Sequence, residues 1–229
     1  MLISEQHNFI FIHIWKVAGT SVSKALAPYA YNPDSFLPKK VLKKAGLKTP
    51  TLNKTMEYIK PGWFFAPHYA TLNIHAKASK VKNYFSPEEY DRFFKFAFVR
   101  NPWDWQVSQY RYMMQKESHF QHEQVKAMSS FEDFLEWRLN DKLVLQKDFV
   151  TDNDGKLIVD FIGKYENLNQ DFDTICSKIG IDASLPYLNT SRDKTQSTSY
   201  REYYSDRAIE LVAQYCQPDI ELFGYSFDG

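Results

Sequence analysis

The sequence predicts an α/β fold with a mainly parallel central sheet. Two observations carry that reading. The runs Phe9-Ile10-Phe11-Ile12-His13-Ile14 and Phe94 to Val99 are continuous stretches of β-branched and aromatic residues, the mark of strands buried on both faces. Each run then passes through a short turn into a helix, and strands alternating with helices along a chain build parallel sheets. The length, 229 residues, suits one domain spanning residues 1–229.

The elements follow in order. The first strand ends in Trp15-Lys16-Val17-Ala18-Gly19-Thr20-Ser21, and a helix runs from Ser21 to about Ala27, stopped near Pro28. Residues 32–61 carry seven lysines and four prolines and read as short helices and loops inserted near a site. Trp63 to Ala66 is a short strand that delivers Pro67-His68 at its end, with a helix from about Ala70 to Lys80. Ser86-Pro87-Glu88-Glu89 has the form of a capping box with proline at the first helical position. The second buried strand runs into Arg100-Asn101-Pro102, and a helix from Trp103 to about Gln115 carries Ser108. A short amphipathic helix covers 131–139, and Asp152-Asn153-Asp154-Gly155 is a turn. Leu157 to Asp160 and Phe161 to Tyr165 supply one or two more strands, and Gly180 closes a helix over Leu168–Ile179. Residues 183–200 form a polar loop, Ser205 caps a last long helix, and Ile220 to Tyr225 is a tail packed on the domain.

Composition narrows the function classes. Hydrophobic residues make up 44% and charged residues 24%, which excludes wholesale disorder. No apolar run approaches the roughly 20 residues that span a bilayer. The N-terminus lacks a basic n-region and a cleavage site, so the expected location is cytoplasmic. Cys176 and Cys216 exclude a disulfide framework and are expected as free thiols. No Cys/His cluster has zinc spacing, so no metal is implied. The net charge of zero hides a split: residues 1–100 sum to +9 and residues 101–229 to −9. Such a split fits an anionic ligand on the basic part, or a solvated lysine-rich loop. The same stretch lacks the basic–aromatic alternation of a nucleic-acid platform.

The two strand-to-helix junctions hold the chemistry. After the first strand, Gly19 lets the backbone curl and a new helix offers unpaired N–H groups at its positive end. Lys16, Thr20 and Ser21 add a cation and two hydroxyls, which together make a cradle for phosphate or sulfate. After the second, Arg100 can fork onto a phosphate, and Ser108 lies about two helical turns further.

Lys16-x-Ala18-Gly19-Thr20-Ser21 after a strand resembles the 5′-phosphosulfate-binding loop of sulfotransferases. Phe98-Val99-Arg100-Asn101-Pro102 with Ser108 resembles their 3′-phosphate-binding element. The likeness is to the carbohydrate (Golgi-type and bacterial) branch that uses 3′-phosphoadenosine-5′-phosphosulfate. It continues in Asp160-Phe161-Ile162-Gly163-Lys164-Tyr165-Glu166-Asn167-Leu168, in Tyr200-Arg201-Glu202-Tyr203-Tyr204 and in Asp219 to Tyr225, and so runs nearly the whole chain. The resemblance implies a three-layer α/β sandwich related to P-loop nucleotide kinases. It implies that Lys16, Ala18, Gly19, Thr20 and Ser21 hold the 5′-phosphosulfate and that Arg100 and Ser108 hold the 3′-phosphate. By the same resemblance, the polar loop after Leu188 matches the stretch that closes over the nucleotide, with Arg192, Tyr200 and Arg201 as the candidates there. Golgi members carry an N-terminal membrane anchor; here the first motif's strand begins by Phe9, so the expectation is either a soluble bacterial-type enzyme or a trimmed chain, with Met1 favouring the former.

Three positions depart from the family pattern. Trp15 stands where proline is usual, Val17 where threonine is usual, and Trp105 where a further arginine often sits. Lys16 is the expected partner of the leaving nucleotide's bridging oxygen. The acceptor's base is expected opposite the cradle, and the resemblance favours His68, with His75 and Glu57 as fallbacks. His13, inside the first strand, reads as structural. The family branch favours a sugar hydroxyl or amine as acceptor, on an anionic glycan if the seven lysines between residues 39 and 60 serve it; a lipid, a small metabolite or a tyrosine also fits. Two other readings stay open: a non-catalytic nucleotide-binding protein on this fold, and a nucleotide kinase or ATPase. The second has the wrong glycine–lysine order, although Leu157-Ile158-Val159-Asp160 superficially resembles a Walker B strand.

Overall fold

Four strands form one sheet in the order β1 (Leu2–Ser4), β2 (Phe9–Ile12), β3 (Phe94–Val99), β4 (Phe161–Lys164). The structure is a computed structural model that describes residues 1–30, 72–141, 144–186 and 199–228. β1 is antiparallel to β2, whereas β2–β3 and β3–β4 are parallel, with Phe9 opposite Phe94 and Phe96 opposite Phe161. The sheet is therefore mainly parallel, as the sequence predicts. Every residue of β2 is buried, and so is β3 after Phe94. Successive side chains point to opposite faces, so both faces are covered and the sheet is the middle of three layers. Phe9, Phe11, Phe94, Phe96 and Phe161 pack ring on ring across these strands.

The flanking helices are α1 (Gly19–Leu26), α2 (Ala78–Lys82), α3 (Pro87–Arg92), α4 (Pro102–Gln115), α5 (His122–Lys126), α6 (Phe131–Asp141), α7 (Leu168–Ile179), α8 (Asp206–Tyr215) and α9 (Gln217–Phe223). Val22 and Leu26 of α1 and Phe172, Ile175 and Ile179 of α7 complete the core around the sheet. A second apolar cluster joins Trp103 and Val107 of α4 to Phe134, Leu135 and Leu139 of α6 and Ala208 and Val212 of α8. Helix α4 thus serves both cores, with Trp105 turned to the first and Val107 to the second.

The capping box at Ser86 forms as predicted: its Oγ accepts from Glu89 N and Glu89 accepts from Ser86 N. Gly180 closes α7 in the left-handed region, and Ser205 caps α8 by accepting from Ala208 N.

Four elements differ from expectation. α2 starts only at Ala78, because the Asn73 side chain and carbonyl take the N–H groups of His75 and Ala76 and hold a turn there. Leu157 makes a single antiparallel bridge to Thr151 rather than a strand. The expected C-terminal tail is the helix α9, opened by Pro218 and closed by left-handed Gly224. β1, three residues long, has too short a pattern to read from sequence. The predicted strand 63–66, His68 and the lysine-rich residues 32–61 lie outside the described residues.

Candidate functional site

Because β2, β3 and β4 are parallel and in register, the segments leaving them emerge at one carboxyl edge of the sheet. Those segments are Trp15–Ala18, Arg100–Asn101 and the short turn Tyr165–Asn167. The site is built where they meet.

The first segment is sharply curled. Lys16 and Ala18 both take left-handed backbone conformations, φ 63° and 61°. Each costs a non-glycine residue on the order of 1–3 kcal/mol, a strain that gathers at ligand clamps. Ala18 is the N-cap of α1 and caps it with no side chain, while its carbonyl accepts from Ser21 N and Val22 N. The first N–H groups of α1 therefore point outward at the positive end of the helix.

Gly19 was expected to supply the curl, but the two left-handed residues precede it, and its role is space. A Cβ there would lie 1.9 Å from Cδ2 and Nε2 of His13, whose ring crosses the start of the helix. Val17 is fully buried, so the residue that replaces the usual threonine fills core instead of facing the cradle. Thr20 is exposed and Ser21 buried.

The second segment locks onto the first. The Arg100 guanidinium donates from Nε to Asp104 Oδ2 (2.7 Å) and from Nη1 to the Lys16 carbonyl (3.3 Å), and stacks 4.1 Å from the Tyr165 ring centroid. Its backbone is clamped by Gln146, which accepts from Arg100 N at 2.9 Å and donates to Arg100 O at 2.8 Å. Gln146 is held in turn by Asp219, fully buried, whose two oxygens accept from Gln146 N and Lys147 N. Glu166 accepts from Asn101 N and from the Tyr225 hydroxyl. The motifs around Asp160–Leu168 and Asp219–Tyr225 thus act together, as supports for Arg100 and Asn101. Asp104, Ser108 and Tyr112 follow at four-residue spacing along one face of α4. That face meets Arg100 at Asp104 and Lys16 at Tyr112.

Lys16 has an unusual setting. Its Nζ lies 4.2 Å from the Tyr112 ring centroid, and among the described residues no carboxylate pairs with it. Burial, then the neighbouring charges of Arg100 and Lys116, push its pKa down to about 8. An ammonium that loses solvent and gains cations without an anion is poised to take an anionic ligand.

The aromatic departures from the family pattern answer one another. Trp105, fully buried, donates its indole N–H to the Trp15 carbonyl (2.8 Å), and the two rings stack at 6.3 Å. Where a further arginine would add a cation, this chain braces the loop that carries Lys16.

Lys16, Ala18, Gly19, Thr20, Ser21, Arg100 and Ser108 come together at this edge. Tyr200 and Arg201 lie by the C-terminus: Tyr200 donates to the Phe227 carbonyl, and exposed Arg201 donates to the Asp228 carbonyl at 2.7 Å. Arg192 and His68 are outside the described residues. His75 donates from Nδ1 to the His13 carbonyl (2.8 Å), and its ring lies 4.5 Å from that of His13. Burial holds both imidazoles below the ordinary histidine pKa. The Walker B likeness does not survive: Asp160 sits at the start of β4, accepting from Lys95 N and pairing with Lys95 Nζ at 3.0 Å, at the opposite end from the cradle. The sequence reading missed Gln146, Tyr112, Asp104 and Tyr165. Only the spacing of 104, 108 and 112 from Arg100 could have flagged two of them.

A sequence model of the sulfotransferase family matches residues 1–226. The chain belongs to the sulfotransferase family. Among its relatives is carbohydrate sulfotransferase 12 of Xenopus laevis, 22% identical over 98% of this chain and 60% of the relative's length. The chain thus spans about three fifths of that sulfotransferase's length. An uncharacterized protein of Archaeoglobus fulgidus is 33% identical over 49% of this chain and 90% of its own length. No solved structure gives a significant match. Among the described residues of this sulfotransferase no helix is long and apolar enough to cross a membrane.

Proposed function

We propose that this sulfotransferase moves the sulfuryl group of 3′-phosphoadenosine-5′-phosphosulfate onto a carbohydrate hydroxyl or amine. The observation that carries the reading is the meeting of Lys16, Arg100 and the uncapped N-terminus of α1 at one edge of the sheet. The residues fit such a donor. The α1 N–H groups, Thr20 and Ser21 offer donors for a phosphosulfate. Arg100 keeps Nη2 without a hydrogen bond among the described residues, and the Ser108 hydroxyl lies on the same face of α4. The carbohydrate acceptor is supported by the resemblance to carbohydrate sulfotransferases and by the relative's name.

In this mechanism Lys16 places its ammonium beside the oxygen that bridges sulfur and phosphorus, where charge grows as the S–O bond breaks. The helix N–H groups share that charge. Arg100 and Ser108 hold the far phosphate and fix the donor for in-line transfer. His68 takes the proton of the acceptor hydroxyl as the new S–O bond forms. Tyr200, Arg201 and Arg192 belong to the segment assigned to cover the nucleotide.

Binding separates this reading from its rivals. Adenosine 3′,5′-bisphosphate should bind without magnesium and outcompete ATP. Preference for ATP with magnesium would favour a kinase, and binding without transfer to any acceptor a non-catalytic protein. His68→Ala should lose rate and keep nucleotide affinity; a variant that loses both would make His68 structural.

A further inference from the structure

One side chain stands in for a missing strand at the end of β3. The ladders that flank β3 stop at Ala97 on the β2 side and at Val99 on the β4 side. Arg100 lies one residue beyond, so its backbone N–H and C=O must find partners outside the sheet. Both find Gln146, whose Oε1 accepts from Arg100 N at 2.9 Å and whose Nε2 donates to Arg100 O at 2.8 Å. The side-chain amide thus exchanges two bonds with one residue, as a neighbouring strand's backbone would. Gln146 is fully buried, and its own backbone N–H is held at 2.8 Å by Asp219, also fully buried in the first turn of α9.

The residue type suits the task. Holding both backbone groups of one residue takes a donor and an acceptor on one planar group, which glutamine has. An ionised glutamate offers no donor, and methionine of similar length offers neither an N–H nor an oxygen. The clamp fixes the root of the Arg100 side chain. Its head is fixed by Asp104 on Nε (2.7 Å), the Lys16 carbonyl on Nη1 (3.3 Å) and the Tyr165 ring (4.1 Å). A guanidinium held at root and head presents Nη2 in one direction, and forked recognition of a phosphate depends on such preorganisation.

Resting on the donor reading above, we infer that Gln146 is a positioning residue that sets selectivity for the nucleotide's 3′-phosphate. It touches no reacting atom. It clamps the Arg100 backbone so that Nη2 meets that phosphate, and Asp219 acts through it. Loosening the clamp lowers the gain from the 3′-phosphate and leaves the 5′ side, held at Lys16 and the α1 N-terminus, in place.

The probes are adenosine 3′,5′-bisphosphate and adenosine 5′-monophosphate, titrated calorimetrically, and the readout is the ratio of their dissociation constants. Wild type should prefer the bisphosphate by about 100-fold, and Arg100→Met should lose most of that preference. Gln146→Met should cut the preference about tenfold while binding the monophosphate as wild type does. A merely structural side chain would weaken both nucleotides alike. Asp219→Asn leaves Gln146 in the chain and keeps one of the two bonds to Gln146 N and Lys147 N, so it should cut the preference by a smaller factor. Wild type supplies a check that needs no substitution. By NMR, the Gln146 side-chain amide and the Arg100 backbone amide should shift with the bisphosphate and stay in place with the monophosphate. If Gln146→Met does not fold, Asp219→Asn and these resonances decide. An unchanged preference in the variants, an equal loss of both nucleotides, or resonances that move equally with both overturns the inference. Equal binding of the two nucleotides by wild type, or a preference that survives in Arg100→Met, would instead overturn the donor reading.

Discussion

Lys16 gives the sharpest prediction, because its pKa should move when the donor site fills. In the free protein burial and the charges of Arg100 and Lys116 hold it at about 8, against an ordinary 10.5. A bound phosphate or phosphosulfate beside the ammonium supplies the missing anion and restores the higher value. At pH 9 the free lysine is then about 10% protonated and the bound one about 97%, so binding should take up ~0.9 proton. At pH 7 the same arithmetic gives ~0.1 proton. Affinity for adenosine 3′,5′-bisphosphate should accordingly fall about tenfold per pH unit above 8, up to roughly 10.5. Nucleotide phosphates are already fully ionised there. The assay is calorimetry at pH 9 in two buffers of different ionisation enthalpy, which reads the proton count directly. Lys16→Met should abolish the uptake while the protein stays folded. No uptake in wild type, or equal uptake in Lys16→Met, would refute the placement of the anion beside Lys16.

Three further outcomes follow from the packing. Gly19→Ala should cost about 1–3 kcal/mol in urea denaturation and weaken nucleotide binding, because the new methyl must displace the His13 ring; unchanged stability would mean that His13 is not held there. Trp105→Phe loses the N–H bond to the Trp15 carbonyl and leaves part of the buried indole's space empty, so stability should drop by about 1–3 kcal/mol or more, read in the same assay. Asp219 has its pKa raised to about 6, chiefly by burial. An acid with a raised folded pKa binds more protons folded than unfolded, so its contribution to stability falls as pH rises from about 4 to about 6. Asp219→Asn should remove that slope, and identical pH profiles for the two proteins would contradict it.

Much of the site was legible because its geometry is local. A buried strand, a tight turn and a helix start can be read from consecutive residues, so Lys16–Ser21 and Arg100–Ser108 stood out. Which residue takes the strained conformation was not legible: glycine seemed the natural choice, yet Lys16 and Ala18 have positive φ and Gly19 makes room for His13. The supports of Arg100 were hidden for another reason. Gln146 and Asp219 reach it from 46 residues away and through a second contact, and no periodicity marks such pairs. The tryptophans at 15 and 105 looked like two separate departures from a family pattern, and only the packed structure shows them as one hydrogen-bonded stack. Short elements such as β1 and α9 escaped because a few residues carry too little pattern.

The central claim is that this sulfotransferase transfers sulfate with Lys16 beside the leaving oxygen. The direct measurement is the movement of label from 3′-phosphoadenosine-5′-[35S]phosphosulfate into a panel of neutral and acidic oligosaccharides, by wild type and by Lys16→Ala. The account predicts labelled sugar with wild type, and none above background with a Lys16→Ala protein whose thermal melt remains cooperative. Equal labelling by the two proteins would contradict it.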